Sequence, residues 1–343
     1  LPFQPDKLDP RSNLMSSSPR RLMRQPSRST VLTCLTVSTL LLLIVPGFAC
    51  SVERSQVQFL SIGTGGTGGI YYPLGGAIAS LLSSNDREHT YTAEVTGGSV
   101  ENIARIVNGQ IDLGFAIGTS IAAEFAKTGG PDSIPELRII APLYPNVAHV
   151  LVRDGSGVLS VDDLGGKAVS VGAAGSGTEQ FARHLLAAYA LDYESIDERY
   201  LSFSESSAAL RDGAIDGAIF SVGYPAAAVL EATTNAAVTL LPVSGEPAAR
   251  LRALYPFYTD TEIPVGTYAG LRTNIATVAV MNWMVGLESL DPTSVMNLLD
   301  VLHEHRESLI RVNKIAAQID LSSMEDAPIP LHPAAKNWLE ANR

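Results

Sequence analysis

Two glycine-rich loops stand at matching places in the two halves of the chain, each between an apolar strand-like run and a helix-like run. The first reads Ser61-Ile-Gly-Thr-Gly-Gly-Thr-Gly-Gly-Ile70 after Val57-Gln-Phe-Leu60, and the second reads Ser170-Val-Gly-Ala-Ala-Gly-Ser-Gly-Thr178 after Gly166-Lys-Ala-Val169. Glycines let backbone N–H groups approach a ligand closely, and a helix that starts beside them adds the partial positive charge of its N-terminus. Both loops therefore resemble anion cradles, and two cradles on separate lobes suggest a clamp.

An internal echo supports two lobes. Asn108-Gly-Gln-Ile-Asp-Leu-Gly-Phe115 matches Asp212-Gly-Ala-Ile-Asp-Gly-Ala-Ile219, with Gly109 and Gly213 separated by 104 residues. Ser99 and Ser204 each follow a strand-like run (Tyr91 to Thr96; Arg199 to Phe203) and precede helical apolar spacing, which reads as a helix N-cap. Gly109 and Gly213 then fall where a helix C-terminus takes a left-handed residue. Each half reads strand, Gly loop, helix, strand, Ser cap, helix, Gly, strand. That alternation predicts an α/β fold of largely parallel strands, although all parallel α/β units look alike to some degree.

The first 56 residues are set apart by composition. Arg20, Arg21, Arg24 and Arg28 precede a weakly polar to apolar run from Val31 to Val45 that Pro46-Gly47 ends. A basic stretch before so short an apolar run reads as an export signal rather than a membrane span. The only cysteines are Cys34 and Cys50, and Gly47-Phe48-Ala49-Cys50 partly resembles a lipobox, so a lipid on Cys50 and plain cleavage after Ala49 both stay open. Residues 1–56 hold seven of the 24 Lys and Arg and three of the 35 Asp and Glu. The remaining body carries 17 positive and 32 negative side chains, a formal −15, which disfavours nucleic acid as a partner.

The sequence divides the body into lobe one, residues 57–152 with 250–343, and lobe two, residues 153–249. Two crossings between them would make a hinge. Arg138 to Leu143 and His149 to Val152 read as strands, Tyr255 to Tyr258 and Ile263 to Tyr268 as loops with extended stretches, and the remainder as mainly helical. Asp291-Pro292 is a strong helix start, and a last short helix contains Trp338.

Catalytic groupings are scarce. The six histidines show no metal-ligand spacing, and neither a metal nor another cofactor is expected. Ser176 between Gly175 and Gly177 lacks the leading glycine of a nucleophile elbow, so it reads as a hydrogen-bond donor. Gly63-Thr-Gly-Gly-Thr-Gly68 satisfies G-x-G-x-x-G, with Glu94 in place of the ribose-binding acid, and keeps a nucleotide-dependent oxidoreductase as the alternative. Hydroxyl and aromatic groups surround the loops instead: Thr64, Thr67, Ser176 and Thr178 as donors, and Tyr71, Tyr224 and Tyr268 as walls with a polar tip.

Ile62-Gly-Thr-Gly-Gly-Thr-Gly-Gly-Ile-Tyr-Tyr-Pro-Leu-Gly-Gly-Ala77, Thr96-Gly-Gly-Ser-Val-Glu-Asn102, Val169-Ser-Val-Gly-Ala-Ala-Gly-Ser-Gly-Thr-Glu179 and Pro264-Val-Gly-Thr-Tyr268 resemble the TAXI family of solute receptors for TRAP transporters, from about Gln58 to His332. The resemblance implies a type II periplasmic binding protein-like fold, with two α/β lobes hinged over a small solute. It also implies an extracytoplasmic, non-enzymatic receptor for a small carboxylate such as glutamate or 2-oxoglutarate, and a TRAP permease as membrane partner. A sensing adaptor for a membrane kinase is equally compatible with the residues. Carried over, Gly65, Gly66, Thr67, Gly68 and Gly69 with Tyr71 would hold one end of the ligand, and Ser99, Gly175, Ser176, Gly177, Thr178 and Tyr224 the rest. Where relatives place a Gln-Ser pair after the third strand, this chain has Ile117-Gly118 and then Thr119-Ser120, so a side-chain contact there is not carried over.

Overall fold

A computed structural model describes residues 57–127 and 137–342; the expected export signal and Cys50 lie outside the described residues. The first half builds β1 (Gln58–Gly63), α1 (Tyr71–Asn85), β2 (His89–Glu94), α2 (Ser99–Val107), β3 (Leu113–Ile117) and α3 (Gly118–Lys127). A long strand, β4 (Leu137–Arg153), leads to β5 (Ala168–Ser170), α4 (Gly177–Ala188), β6 (Asp197–Arg199), α5 (Phe203–Arg211), β7 (Gly217–Val222), α6 (Ala227–Asn235), β8 (Val238–Leu241) and α7 (Gly245–Leu254). The chain returns through β9 (Tyr258–Ile263) and β10 (Ile275–Leu287) and ends in α8 (Pro292–Glu304), α9 (Arg306–Val312) and α10 (Pro333–Ala341).

The strands form one sheet in the order β2-β1-β3-β10-β4-β7-β5-β6, with β8 beside β4 and β9 beside β10. Each outer triplet is parallel, β1 lying between β2 and β3 and β5 between β6 and β7. The two triplets are thus the same unit used twice, and the α/β class expected from the sequence holds. Between them, β10 runs antiparallel to β3, β4 runs antiparallel to β7, and β4 and β10 pair with each other, so the two halves share a continuous sheet. The β4–β10 ladder shifts register between Met281 and Trp283 and again between Met284 and Val285. Such bulges bend a strand and increase its twist.

The echoed segments are structurally equivalent down to single bonds. Gly109 and Gly213 take φ of +65° and +72° just past the ends of α2 and α5, the left-handed ending that glycine adopts without steric penalty. The acid that closes each copy then clasps the first strand of its own triplet: Asp112 accepts from the Ser61 N–H at 2.7 Å and Asp216 from the Ala168 N–H at 3.2 Å.

The helix starts differ from the reading by one or two residues. Gly98, at φ +120°, is the N-cap of α2, which makes Ser99 its first residue and frees the Ser99 hydroxyl to accept the Ile117 N–H at 3.2 Å. In the second half Ser202, not Ser204, caps α5 in a reciprocal box with Glu205, so the expected strand up to Phe203 stops at Arg199. The two strands expected around 138–152 are one, and β10 went unread because a helical tail was expected after residue 268. Its run Ile275-Ala-Thr-Val-Ala-Val280 is rich in β-branched residues and largely buried, as a central strand requires. Asp291 caps α8 as expected, accepting the Ser294 N–H at 2.9 Å with Pro292 in the first turn.

One core spans both halves. Phe115, Tyr144 and Phe220 are fully buried in the same cluster as Leu74 and Ile78 of α1 and Leu298 and Leu299 of α8. Side chains of this size stabilise by roughly 1.5–3 kcal/mol each when removed from water. Tyr268, expected as a ligand wall, belongs to this core. His149 Nδ1 lies 2.9 Å from the Val147 carbonyl and so carries the proton, which leaves Nε2 to accept from the Tyr268 hydroxyl at 3.0 Å; that hydroxyl in turn accepts the Ala226 N–H.

Burial holds His149 neutral by lowering its pKa from 6.5 to about 4. The unfolded chain, which protonates near 6.5, binds more protons between these values, so stability falls as pH drops through that window and His149 has no effect above it. We expect urea denaturation between pH 6.5 and 5 to show His149 contributing up to about 1.4 kcal/mol of loss per pH unit. The same series on His149→Gln should be correspondingly flatter.

Candidate ligand-binding pocket

Four helices begin at one place. Gly65, Gly66 and Gly69 of the first glycine loop, with Ile70 and Tyr71, bring the start of α1 to a pocket that Gly97, Gly98 and Ser99 line with the start of α2. From the other half come Ser176, Gly177 and Thr178 at the start of α4 and Phe203 at the start of α5, while Tyr144, Asn146, Ser221 and Val222 supply the floor from β4 and β7. The cavity measures about 50 Å³. At about 10–15 Å³ per water-sized probe, that suits a small solute and not a dinucleotide.

No charged side chain lines it among the described residues. Its polarity comes from helix ends, and these differ. α4 and α5 are capped by their own serines, Ser176 Oγ accepting the Glu179 N–H at 3.0 Å and Ser202 Oγ the Glu205 N–H at 3.3 Å. α1 and α2 have no side-chain cap, and α1 has no acid in its first turn. Their leading N–H groups, those of Tyr71 and Ser99 included, have no intrahelical acceptor and carry the positive end of the dipole. Glu101 and Glu179 sit in the first turns of α2 and α4 but are engaged elsewhere, Glu101 by the Gly97 N–H at 2.7 Å and Glu179 by Arg183 at 2.6 Å.

Asn102 holds this arrangement together. Fully buried, its two amide N–H groups are shared among the carbonyls of Gly63 (3.1 Å), Thr64 (2.7 Å) and Phe115 (2.9 Å), and its oxygen accepts the Thr96 hydroxyl at 2.7 Å. The ends of β1 and β3 and the approach to α2 are thereby tied to one side chain. A second network runs beneath the pocket between the halves. The Tyr71 hydroxyl donates to Asn282 Oδ1; the Asn282 amide donates to the Tyr144 carbonyl (2.7 Å) and Asn146 Oδ1 (2.8 Å); Asn146 donates to the Ser221 carbonyl (2.9 Å). Burial raises the Tyr71 pKa well above its ordinary value, so the phenol stays a neutral donor.

The halves touch across the pocket mouth with little room. The Glu101 N–H donates to the Gly175 carbonyl at 3.0 Å. A Cβ on Gly97 would lie 2.6 Å from the Ala174 carbonyl oxygen, and one on Gly177 would lie 2.7 Å from Ser99 Oγ. These glycines serve close approach rather than handedness, in contrast to Gly98, Gly172 and Gly175, whose φ values of +120°, +95° and +73° are left-handed.

Of the residues expected to form a site, Gly65, Gly66, Gly69, Tyr71, Ser99, Ser176, Gly177 and Thr178 come together around the pocket, and four do not line it. Thr67 is exposed in a turn. Gly68 is packed against α5, where a Cβ would lie 2.5 Å from Ser204 Oγ, which also denies a pyrophosphate its approach. Gly175 spends its carbonyl on Glu101, and Tyr224 packs half-buried on the core beyond β7. Thr64 likewise turns its hydroxyl to the Glu94 carbonyl at 2.6 Å. Tyr144, Asn146 and Phe203 were not anticipated. Their available signal was polar residues set inside strongly apolar runs, Asn146 in β4 and its partner Asn282 in β10.

A family model described as NMT1-like matches residues 62–341. The chain belongs to the NMT1-like family. Solved structures with similar backbones include the periplasmic aliphatic sulphonate binding protein SsuA from Escherichia coli, at 15% identity over 82% of this chain and 78% of that one with a TM-score of 0.42. The alkanesulfonate-binding protein SsuA from Xanthomonas axonopodis pv. citri, bound to MOPS, aligns at 17% identity over 84% and 91% with a TM-score of 0.46. The ligand binding component of an ABC-type import system from Staphylococcus aureus, with zinc bound, aligns at 10% identity over 83% and 90%, also at 0.46. In this NMT1-like chain no group of three or more His, Cys, Asp or Glu is placed to hold a metal among the described residues.

Replacing Asn102 by Leu removes the shared donor of the Gly63, Thr64 and Phe115 carbonyls, of which Thr64 alone keeps a second side-chain donor, the Thr96 hydroxyl at 3.0 Å. At about 1–3 kcal/mol for each unsatisfied buried group, partly relieved by relaxation, the variant should lose roughly 2–4 kcal/mol of unfolding free energy. Chemical denaturation of the two proteins side by side measures it.

Proposed function

We propose that this NMT1-like protein is an extracytoplasmic solute receptor that captures a small carboxylate between its lobes and delivers it to a TRAP membrane permease. The observation that carries the reading is the convergence of uncapped helix starts from α1 and α2, facing α4 and α5 of the other half, on a pocket without a cationic side chain. Helix N-termini favour anions locally even on a body of strongly negative net charge. Micromolar affinity needs about 8 kcal/mol, and a few charge-assisted bonds to main-chain N–H groups at roughly 1.5–3 kcal/mol each supply much of it after ordering losses.

In this reading lobe one comprises 57–152 with 250–343 and lobe two 153–249, and the bulged β4–β10 pair is the hinge. An anion that touches both sides gains its full set of bonds only when the lobes are shut, so it shifts the population toward the closed form. The close approach of Gly97 to Ala174 and the Glu101–Gly175 bond support a closed form in this reading. The role is binding rather than catalysis: Ser176, the residue nearest to a nucleophile, is occupied as a helix cap. The leader would then direct export, with a lipid on Cys50 or plain cleavage after Ala49 as its end point.

Titration calorimetry of the purified protein against a panel of organic anions tests the reading; heat from a small carboxylate supports it, and silence across the panel removes it. Ser176→Ala deletes both a cap and a hydroxyl at the pocket, and we expect it to weaken carboxylate binding by about 1–3 kcal/mol. Gly97→Ala should obstruct closure, so that small-angle scattering with saturating ligand shows a larger radius of gyration for the variant than for the parent.

A further inference from the structure

Among the described residues, three buried side-chain polar atoms have no hydrogen-bond partner: Thr119 Oγ1, Tyr144 Oη and Arg153 Nε. Tyr144 alone of these lines the pocket. Its side chain is fully buried, its ring seated against Gly223, where a Cβ would lie 3.0 Å from Tyr144 Cε2 and 2.8 Å from Ile70 Cδ1. The ring stands edge-on to Tyr71 with centroids 6.4 Å apart. The two phenols are not equivalent. Tyr71 donates its hydrogen bond to Asn282 Oδ1, whereas Tyr144, among Ile70, Val222 and Ile315, has a donor with nothing to receive it. Burial keeps the Tyr144 phenol protonated by raising its pKa far above the ordinary value. A buried donor left unmade is destabilising, and an acceptor brought by a ligand relieves it.

The rest of the lining limits what that ligand can be. Donors abound, in the uncapped starts of α1 and α2 and the hydroxyls of Ser99 and Ser176, while the amides of Asn146 and Asn282 are already committed to each other, to Tyr71, to the Tyr144 carbonyl and to Ser221. No carboxylate lines the pocket. An ammonium group there would be stripped of water beside the positive ends of helices with no anion to pair it.

Resting on the receptor reading above, we infer that the pocket selects a two-ended oxyanion without an amino group, one end held at the helix starts and the other accepting a hydrogen bond from the Tyr144 hydroxyl. The class is that of dicarboxylates and 2-oxo dicarboxylates, as opposed to α-amino acids and to monocarboxylates with an apolar tail. A site built around a buried donor rejects an analogue that lacks the matching acceptor, because the donor is then left unpaired.

The test uses the intact purified protein and three probes of the same chain length: 2-oxoglutarate, L-glutamate and pentanoate. Calorimetry should show 2-oxoglutarate binding at least about tenfold tighter than either of the others. Tyr144→Phe should weaken 2-oxoglutarate about tenfold or more while leaving any pentanoate binding within about twofold. Because the hydroxyl has no partner, the melting temperature of ligand-free Tyr144→Phe should equal or exceed that of the parent. Glutamate binding as tightly as 2-oxoglutarate overturns the inference while leaving the receptor reading in place. So does a variant with unchanged 2-oxoglutarate affinity, and if its melting temperature also falls, the hydroxyl serves a structural water. Absence of binding by any organic anion overturns both.

Discussion

The side-chain amide of Asn102 is the point on which the geometry of the first half turns. Three carbonyls from two strands and a loop converge on its nitrogen, and the Thr96 hydroxyl on its oxygen. A buried amide so fully satisfied is rigid, because any displacement breaks several bonds at once in a medium where none is replaced by water. That rigidity fixes where α2 begins. It therefore fixes Gly97, Gly98 and Ser99, and through them the approach of the second half, since the Ala174 carbonyl and Ser176 meet the same short segment. Gly63 and Gly114 belong to the same constraint: a Cβ on either would fall within 3.1 Å of Asn102 atoms.

In the proposed reading, attraction for an anion is a property of the main chain. The body is acidic overall, and the arginines of α2 and α4, Arg105 and Arg183, are turned to Glu94 and Glu179 at 2.6 Å each. Glu179, the first-turn acid of α4, is thereby neutralised, and Glu101, that of α2, is engaged by the Gly97 N–H. α1 needs no such correction, having no acid in its first turn. Backbone N–H groups on rigid helices bring no rotamer entropy to be lost on binding, which long cationic side chains would. The hydroxyls of Tyr71 and Tyr144 are neutral because burial disfavours the phenolate.

Much of the fold was legible because it is written twice. The echo from Asn108 to Phe115 and from Asp212 to Ile219 carries the same left-handed glycine and the same acid, and both copies make the same bonds. The glycine loops were legible as a meeting place for helix starts. What was not legible is the middle of the sheet. Long-range pairing leaves no local mark, so β10 passed unread although its apolar run resembles that of β4, and with it the Asn146–Asn282 contact, made between residues 136 positions apart. The glycines also misled in one respect. Local pattern cannot tell a glycine that faces a ligand from one that faces another helix, and Gly68, amid a loop that lines the pocket, faces Ser204.

The paired clasps of Asp112 on Ser61 and Asp216 on Ala168 carry a mechanical consequence. Each clasp ties the first strand of a triplet to the third a few residues ahead of the loop glycines, so these two strands resist sliding past one another. The strand that carries each glycine loop is thereby moored to its neighbour, and the loop keeps its station on the sheet.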